Sequence, residues 1–169
     1  MSGADRSYVT HAFEPVYDEQ SRILLLGTMP SPKSRENGYY YSHPQNRFWR
    51  VMAAVLCEEE PQTTQQKRTL LISHHIALWD VLASCEITGA SDTSIKNPVS
   101  NDLRVILDAA PVAAVFATGR KAESLYNRLC RPPIGMEIVY LPSTSPANRA
   151  RNPDDALVLA YSAILPYLL

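Results

Sequence analysis

The chain has 169 residues, of which 46% are apolar, and its 16 Lys and Arg residues are nearly balanced by 17 Asp and Glu residues. This length predicts a single domain over residues 1–169, with a core large enough to fold without disulfides or metals. The formal net charge of −1 excludes a highly basic nucleic-acid coat protein, although it allows a local basic patch.

The three cysteines indicate neither a disulfide framework nor a metal site. Cys57, Cys85 and Cys130 form no CxxC pair and have no Cys/His ligand spacing, so we expect reduced thiols, no metal and no cofactor. Residues 1–20 contain acids and no apolar run, which argues against a signal peptide. No apolar stretch approaches the ~20 residues that span a bilayer. We expect a monomeric cytoplasmic protein with no membrane contact and no obligate protein partner.

The predicted elements alternate between strands and helices. In chain order they begin with a strand over 22–26 that ends in GTMPSP, a helix over 48–56, a helix from Thr63/Thr64 to His74 and a strand over 76–82. They continue with a helix capped by Asn101 that runs through Ala110, a strand over 112–119, and a helix over 120–130 closed by Pro132 and Pro133. The last two are a strand over 137–141 that meets a Pro/Ser loop, and a helix opened by Asp154 and Asp155 that Pro166 ends or kinks.

The predicted strands are continuous apolar runs rather than alternating ones. Such strands, separated by helices, are typical of an α/β fold in which a parallel sheet is covered on both faces. In open α/β sheets the binding site lies beyond the carboxyl ends of the strands. Three of the four strand ends carry the unusual segments GTMPSPKSR, TGRK and LPSTSPANRAR, so the site is expected there.

Positive charge and aromatic rings are concentrated after the first predicted strand. Residues 28–50 carry Lys33, Arg35, Arg47 and Arg50 against Glu36, a charge of +3, and Arg149 and Arg151 follow the last predicted strand. Cations at this edge favour phosphate binding, and the tyrosines at 39–41 offer flat rings for base stacking, worth ~1–3 kcal/mol per base. The alternative is that the tyrosines pack the loop and the arginines are solvated.

Three segments together resemble a known family. GTMPSPKSR, YYYSHPQNRFW and LPSTSPANR, in this order, resemble the uracil-DNA glycosylase superfamily and, within it, the hypoxanthine-DNA (deoxyinosine) glycosylase family. The resemblance extends from about Ile23 to the last helix. It implies a three-layer α/β/α sandwich around a central four-stranded, mainly parallel sheet. It also implies an enzyme that flips a deaminated base out of double-stranded DNA and hydrolyses its N-glycosidic bond, leaving an abasic site for base excision repair.

The chain departs from the superfamily pattern at two catalytic positions. Met29 stands where conventional uracil glycosylases have an Asp, and Leu141 stands where they have a His, so uracil removal by that route is not expected. The hypoxanthine family instead uses an Asn in its HPxNxFW segment, which corresponds to Asn46. We expect its amide oxygen to orient a water beneath C1′ of the sugar. The alternative is an N-cap for the helix that begins near Phe48.

The base pocket needs an acceptor for N1–H and a donor for O6 of hypoxanthine. Candidates are the backbone of the first loop, from Thr28 to Ser31, and the rings of Tyr40 and Phe48. Asp80 could accept from N1–H, although the preferred interpretation is an N-cap of a following helix, and His43 either contacts the base or a phosphate or is a structural partner. Thr118 stands where some relatives carry an Asn. The expected pocket comprises Gly27, Thr28, Met29, Pro30, Ser31, Tyr40, His43, Phe48, Asp80 and Thr118.

The second loop is expected to hold the DNA. By resemblance, the segment 143–146 presses into the minor groove and grips phosphates, and Arg149 fills the stack or binds phosphate. The alternative is a rigid surface turn. The expected DNA-binding residues are Lys33, Arg35, Arg47, Ser143, Thr144, Ser145, Pro146, Asn148 and Arg149.

Other classes have less support in the sequence. Ser31 and Ser34 lack the GxSxG elbow of a serine hydrolase, and neither a P-loop nor a GxGxxG motif occurs. Two alternatives remain: a mismatch-specific uracil or thymine glycosylase, and a catalytically idle relative that binds damaged DNA.

Overall fold

The computed structural model describes residues 5–169. Residues 1–4, part of the predicted domain and of the segment considered as a signal peptide, lie outside the described range. The strands are β1 (Arg6–Thr10), β2 (Ile23–Gly27), β3 (Ile76–Asp80), β4 (Leu82–Thr88), β5 (Ser91–Ser100), β6 (Ala114–Thr118) and β7 (Ile138–Leu141). The helices are α1 (Pro32–Asn37), α2 (Phe48–Leu56), α3 (Thr64–Ser73), α4 (Arg104–Leu107), α5 (Arg120–Leu125), α6 (Arg131–Ile134) and α7 (Asp154–Tyr161).

The central sheet has four parallel strands in the order β3-β2-β6-β7. Every residue of β2 and β3 is buried, which explains their continuous apolar sequences. Helix α3 contacts β3, α5 contacts β6 and β7, and a C-terminal 3₁₀ segment (Ser162–Leu168) contacts β2. The predicted α/β/α architecture around a four-stranded sheet is confirmed, and each strand pair is parallel.

A second sheet was not predicted. Strands β1, β4 and β5 form an antiparallel sheet in the order β1-β4-β5. The chain crosses from one sheet to the other at Val81, whose N–H donates to the Gly27 carbonyl at 2.8 Å. The predicted strand over 76–82 is therefore two strands with a corner between them. Strand β5 is largely exposed and polar, so it has no apolar periodicity that would reveal it.

Three predicted helices have the expected starts. Helix α2 occupies 48–56, and α3 begins after Thr63, whose hydroxyl accepts from the Gln66 N–H in a complete capping box. Helix α7 begins at Asp154, and Pro166 lies inside the 3₁₀ segment that continues it.

Two helix predictions were wrong in detail. Asn101 caps no helix: its side-chain amide donates to the carbonyls of Asp80 (2.9 Å) and Leu82 (3.1 Å), which fixes the corner between the sheets. Helix α4 is short and spans only Arg104–Leu107. Pro132 and Pro133 do not close the helix over 120–130, because a π-helical turn (Tyr126–Cys130) leads into α6, and prolines are tolerated in a first turn, where the N–H has no helical partner.

The described residues also bear on membranes, metals and thiols. No helix within residues 5–169 is long and apolar enough to cross a bilayer. In the same range no group of three or more His, Cys, Asp or Glu side chains is placed to hold a metal ion. Cys57, Cys85 and Cys130 form no disulfide.

Candidate active site

A cavity of about 320 Å³ opens beyond the carboxyl ends of the parallel strands. Gly27 ends β2, Asp80 ends β3 and Thr118 ends β6, and all three line the cavity together with the loop after β7. A site at this edge is what the topology of an open parallel sheet favours, and its volume lies at the lower end of small-molecule pockets, about 300–1,000 Å³.

The cavity collects most of the residues predicted for the base pocket. All of them except Phe48 lie in its wall, and so does Asn46. The residues from the prediction that line it are Gly27, Thr28, Met29, Pro30, Ser31, Tyr40, His43, Asp80 and Thr118. His43 accepts the Gln45 N–H on its Nδ1, which leaves its Nε2 without a hydrogen bond to the described residues.

The first loop is held rigidly by its own side chains. The Ser31 hydroxyl accepts from the Ser34 N–H at 3.1 Å and caps α1, and the Arg35 guanidinium donates to the Pro30 carbonyl at 2.9 Å. Arg35, predicted to bind DNA, therefore has a structural contact. Lys33 lies at the surface, 3.6 Å from the Glu36 carboxylate, an exposed pair that contributes little to stability.

Two polar side chains converge on Gly27. A Cβ atom at this position would overlap Oδ1 of Asp80 and lie 2.7 Å from the hydroxyl of Tyr41, so only glycine fits. The Tyr41 hydroxyl also lies 2.9 Å from Oγ1 of Thr118, and Tyr41 adopts a left-handed backbone conformation (φ 50°). Burial, reinforced by the charge of Asp80, raises the pKa of Tyr41, so its phenol stays protonated.

Asp80 is paired with a histidine that sequence reasoning missed. Nε2 of His11 lies 2.8 Å from Oδ2 of Asp80, and only 4% and 5% of the two side chains are exposed. Oδ1 of Asp80 makes no hydrogen bond to the described residues. The predicted N-cap role of Asp80 is wrong, because the chain after it enters β4 instead of a helix.

Asn46 is fixed through its amide oxygen. Oδ1 accepts from the Phe48 N–H at 2.9 Å and from the Thr144 hydroxyl at 2.9 Å. The capping alternative is thus present in the structure, and both lone pairs of the oxygen that was expected to orient a water are occupied by protein donors. Nδ2 has no hydrogen-bond partner within residues 5–169 and is the group of Asn46 that remains for a substrate.

The aromatic rings divide between cavity and core. Phe48, predicted to stack on the base, is fully buried and lies beneath Tyr41, with ring centroids 4.0 Å apart and an interplanar angle of 17°. Tyr40 lines the cavity but is 2% exposed, and its hydroxyl donates to the Glu14 carbonyl. Tyr39 stacks on Trp49. The tyrosines therefore mainly pack the loop, and Tyr41, omitted from the predicted pocket, presents its hydroxyl to the site.

The second loop is anchored to its surroundings. Its carbonyls accept from the Tyr161 hydroxyl (2.7 Å, at Pro142) and from the Asn152 amide (3.2 Å, at Ser143). Thr144 was predicted to bind phosphate, but it is 1% exposed and its hydroxyl is bonded to Asn46. The predicted residues Ser143, Ser145 and Pro146 line the cavity together with Thr144, while Asn148 and Arg149 follow outside it.

Arg47 does not belong to a DNA-binding surface. Its side chain is 1% exposed, and one of its terminal nitrogens contacts Oδ1 of Asp154 at 3.1 Å and the Asn152 carbonyl. Arg50 binds the other oxygen of Asp154 at 2.8 Å. The predicted role of Arg47 in DNA binding is therefore wrong. Its acidic partner lies far away in the sequence, so the local sequence did not reveal the pairing. Arg149 and Arg151 are exposed and form no ion pair within the part of the chain that the structure describes.

The turn between β4 and β5 forms a wall that the sequence did not reveal. Gly89, Ala90 and Asp92 line the cavity from the second sheet. Burial raises the pKa of Asp92; the ammonium of Lys121 opposes this change and the charge of Asp80 adds to it. The cavity thus has an acidic side, formed by Asp80 and Asp92, and a polar neutral side, formed by Asn46 and the second loop.

Comparisons with known proteins agree with this architecture. The family model of the uracil DNA glycosylase superfamily matches residues 14–168. A protein from Methanosarcina barkeri named hypoxanthine DNA glycosylase is 34% identical over 138 residues, which are 81% of this chain and 87% of the relative. Its namesake from Methanosarcina acetivorans is 34% identical over 143 residues, which are 83% and 89% of the two chains.

A solved structure extends the agreement to the whole fold. The solution NMR structure of a candidate uracil DNA glycosylase from Methanosarcina acetivorans superposes with a TM-score of 0.77 at 29% identity, covering 94% of this chain and 99% of that one. This chain belongs to the uracil DNA glycosylase superfamily.

Proposed function

We propose that this chain is a DNA glycosylase that removes hypoxanthine from double-stranded DNA and leaves an abasic site. The observation that carries the proposal is that one cavity is lined by both the Asp80 carboxylate and the Asn46 amide, each held by a neighbouring side chain. The relatives named hypoxanthine DNA glycosylase support the choice of base. Such a repair enzyme would act in the cytoplasm on chromosomal DNA.

Asp80 is the proposed reader of the base. A carboxylate only accepts hydrogen bonds, so Oδ1 favours the N1–H of hypoxanthine and repels the N1 lone pair of adenine. Backbone N–H groups of the first loop are the donors for O6. Guanine has the same N1–H and O6, so its exclusion depends on its additional 2-amino group. Uracil presents an equivalent N–H and carbonyl, which makes it the natural competing substrate.

Asn46 is the proposed catalytic residue. With Oδ1 occupied, Nδ2–H donates to a water whose second lone pair faces C1′. The water oxygen bonds to C1′ as the bond from C1′ to N9 breaks, the bonding electron pair leaves with the purine, and the water loses one proton while the base gains one. Because the transition state resembles an oxocarbenium ion, a well-placed weak nucleophile is sufficient.

The second loop and Arg149 are proposed to hold the DNA around the flipped nucleotide. Ser143 and Ser145 bring hydroxyls to the cavity edge, and Pro146 stiffens the turn that leads to Arg149. Flipping costs a few kcal/mol and is easier at an unstable pair, which favours wobble-paired deoxyinosine before any chemistry occurs.

The first test compares two variants of Asn46. Asn46→Ala removes both the amide and the helix-capping oxygen, whereas Asn46→Ser keeps a capping oxygen and removes the amide. Single-turnover excision would be measured on labelled duplexes with one deoxyinosine or one deoxyuridine, with alkali to reveal abasic sites, and thermal unfolding would be recorded in parallel. We expect both variants to lose hypoxanthine release by roughly a hundredfold or more, and Asn46→Ser to keep near wild-type stability.

The outcomes separate the candidate functions. Wild-type activity within a few-fold in Asn46→Ser would remove Asn46 from catalysis. Release of uracil or thymine alone would identify a mismatch-specific uracil or thymine glycosylase, and intact DNA binding without release of any base would identify a damage-binding relative.

A further inference from the structure

We infer that His11 is a positioning residue that sets the base selectivity of the cavity by fixing the carboxylate of Asp80. The inference rests on the proposed function, because Asp80 acts there as the reader of the base. His11 directly follows β1 in the second sheet, and Asp80 ends β3 in the central sheet. Their contact, with Nε2 of His11 2.8 Å from Oδ2 of Asp80, is buried on both sides.

The hydrogen bonds of the imidazole define its protonation state. Nδ1 of His11 accepts from the Phe13 N–H at 3.3 Å, so Nδ1 carries no proton. Nε2 therefore carries the ring's one proton and donates a hydrogen bond to Oδ2 of Asp80, and the ring is neutral. A protonated imidazole would place Nδ1–H against the Phe13 N–H.

Aromatic neighbours hold this tautomer in one orientation. The His11 ring lies between Phe13, Tyr40 and Trp79, with centroids 5.6, 5.8 and 6.4 Å away. The ring cannot turn over without losing the bonds at both nitrogens. Oδ2 of Asp80 is thereby occupied, and Oδ1 is left beside Gly27, at the cavity.

The consequence is a fixed, charged acceptor that faces the base. A neutral imidazole orients the carboxylate without cancelling its charge, so the cavity attracts a ring N–H and repels a ring lone pair. Deamination converts the lone pair of adenine N1 or cytosine N3 into an N–H. His11 therefore contributes to the distinction between a deaminated base and its parent, although it does not touch the substrate.

A matched pair of variants tests the contact. His11→Gln places an amide N–H near the position of Nε2, whereas His11→Asn can replace the bond to the Phe13 N–H but is too short to reach Asp80. In single-turnover excision of hypoxanthine we expect His11→Asn to lose roughly ten- to a hundredfold, the effect of one hydrogen bond to a charged group, and His11→Gln to stay within a few-fold of wild type. Thermal unfolding verifies that both variants fold.

A double-mutant cycle with Asp80→Asn distinguishes positioning from a structural role. In Asp80→Asn, the Nε2–H of His11 holds the new amide oxygen, so the amide nitrogen faces the base and opposes N1–H. Adding His11→Asn frees that amide to turn over, and we expect excision to stay constant or to recover in part. Additive losses, equal losses in His11→Gln and His11→Asn, or a wild-type rate in His11→Asn would overturn the inference.

The same assays separate this inference from the proposed function. If the wild type releases uracil but not hypoxanthine, the proposed substrate is wrong, and the cycle is run on uracil, whose N3–H would make the same contact. If the wild type releases neither base, both proposals fall. If hypoxanthine release depends on Asn46 but not on His11, only the inference about His11 fails.

Discussion

At the scale of single residues, three polar side chains of the cavity are each held by another group of the protein. His11 holds Asp80, Thr144 and the Phe48 N–H hold Asn46, and Thr118 holds the Tyr41 hydroxyl. Side chains fixed in this way lose little freedom when a substrate binds, and they are oriented before the reaction begins. The strained backbone of Tyr41 fits this pattern, because left-handed conformations of non-glycine residues persist where their surroundings enforce them.

Gly27 is a position at which this arrangement leaves no space for a side chain. In Gly27→Ala the added methyl group would overlap Oδ1 of Asp80 and press on the Tyr41 hydroxyl, so both must move. We expect roughly a tenfold or greater loss of single-turnover hypoxanthine excision, since a displacement of about 1 Å at a reacting site can cost about a hundredfold.

Gly38→Ala provides the control for Gly27→Ala. Gly38 ends α1 with φ 80°, and nothing lies within 4 Å of an added Cβ. This substitution is expected to lower the free energy of unfolding by about 1 kcal/mol through backbone strain, while excision by the folded protein stays unchanged. If Gly27→Ala excised hypoxanthine at the wild-type rate, excision of the base would not depend on the positions of Asp80 and Tyr41.

At the scale of elements, an ion cluster joins the two loops of the site. Asp154 starts α7, just after the second loop, and it binds Arg47 and Arg50 at the start of α2, just after Asn46. Helices α2 and α7 also pack against each other. The carboxylate therefore ties the segment that carries Asn46 to the segment that follows the second loop.

The cluster predicts how stability depends on pH. The hydrogen bond from Arg47, aided by the charges of Arg50 and Arg149, holds the pKa of Asp154 below its ordinary value of 3.8. Because the pKa is lower in the folded state, the stabilisation is complete above the unfolded value and is lost as the pH falls through the folded value. We expect Asp154→Asn to lower the denaturant midpoint at neutral pH, and the difference from wild type to narrow below pH 3.8.

Asp155→Asn is the matched control for Asp154→Asn. Asp155 lies in the same first turn of α7, so both variants lose one negative charge near the helix N-terminus, worth about 0.3–1 kcal/mol. Of these two carboxylates, only Asp154 has basic partners in ion-pair contact within the described residues. Equal pH dependence in the two variants would contradict a specific role for the cluster.

At the scale of the whole molecule, the sequence predicts what depends on local patterns. Apolar runs predict the central sheet, and its topology alone places the cavity beyond the carboxyl ends of the strands. The second sheet escaped prediction because β5, with the sequence SDTSIKNPVS, is stabilised by pairing with β4 and has no apolar face of its own.

Contacts between distant residues account for the other errors. His11 and Asp80 are 69 residues apart, and Arg47 and Asp154 are 107 residues apart. Each residue looks ordinary in its own segment, and only the folded chain shows that Arg47 is buried and that His11 belongs to the site. The predicted role of Asn46 was incomplete for the same reason, since Thr144, which occupies its oxygen, lies 98 residues away.

The corrected charge distribution leads to the last prediction. A chain with a net charge of −1 must bind DNA through a local basic rim. With Arg47 buried and paired, Arg149 is the first exposed arginine after the cavity-lining turn. Each phosphate contact adds about 0.9 to the slope of log affinity against log salt concentration. We therefore expect Arg149→Ala to weaken binding to a deoxyinosine duplex and to reduce that slope by about one.

Arg128→Ala is the control for Arg149→Ala, because it changes the net charge by the same amount. Arg128 is exposed on the π-helical turn between α5 and α6 and does not line the cavity. Removing it changes the net charge of the molecule as much as Arg149→Ala does, yet it should leave the slope at the wild-type value. If both variants reduced the salt dependence of binding equally, binding would depend on the total charge, and Arg149 would not contact a phosphate. A change in Arg149→Ala alone would place the DNA backbone beside the second loop, where a flipped nucleotide can enter the cavity.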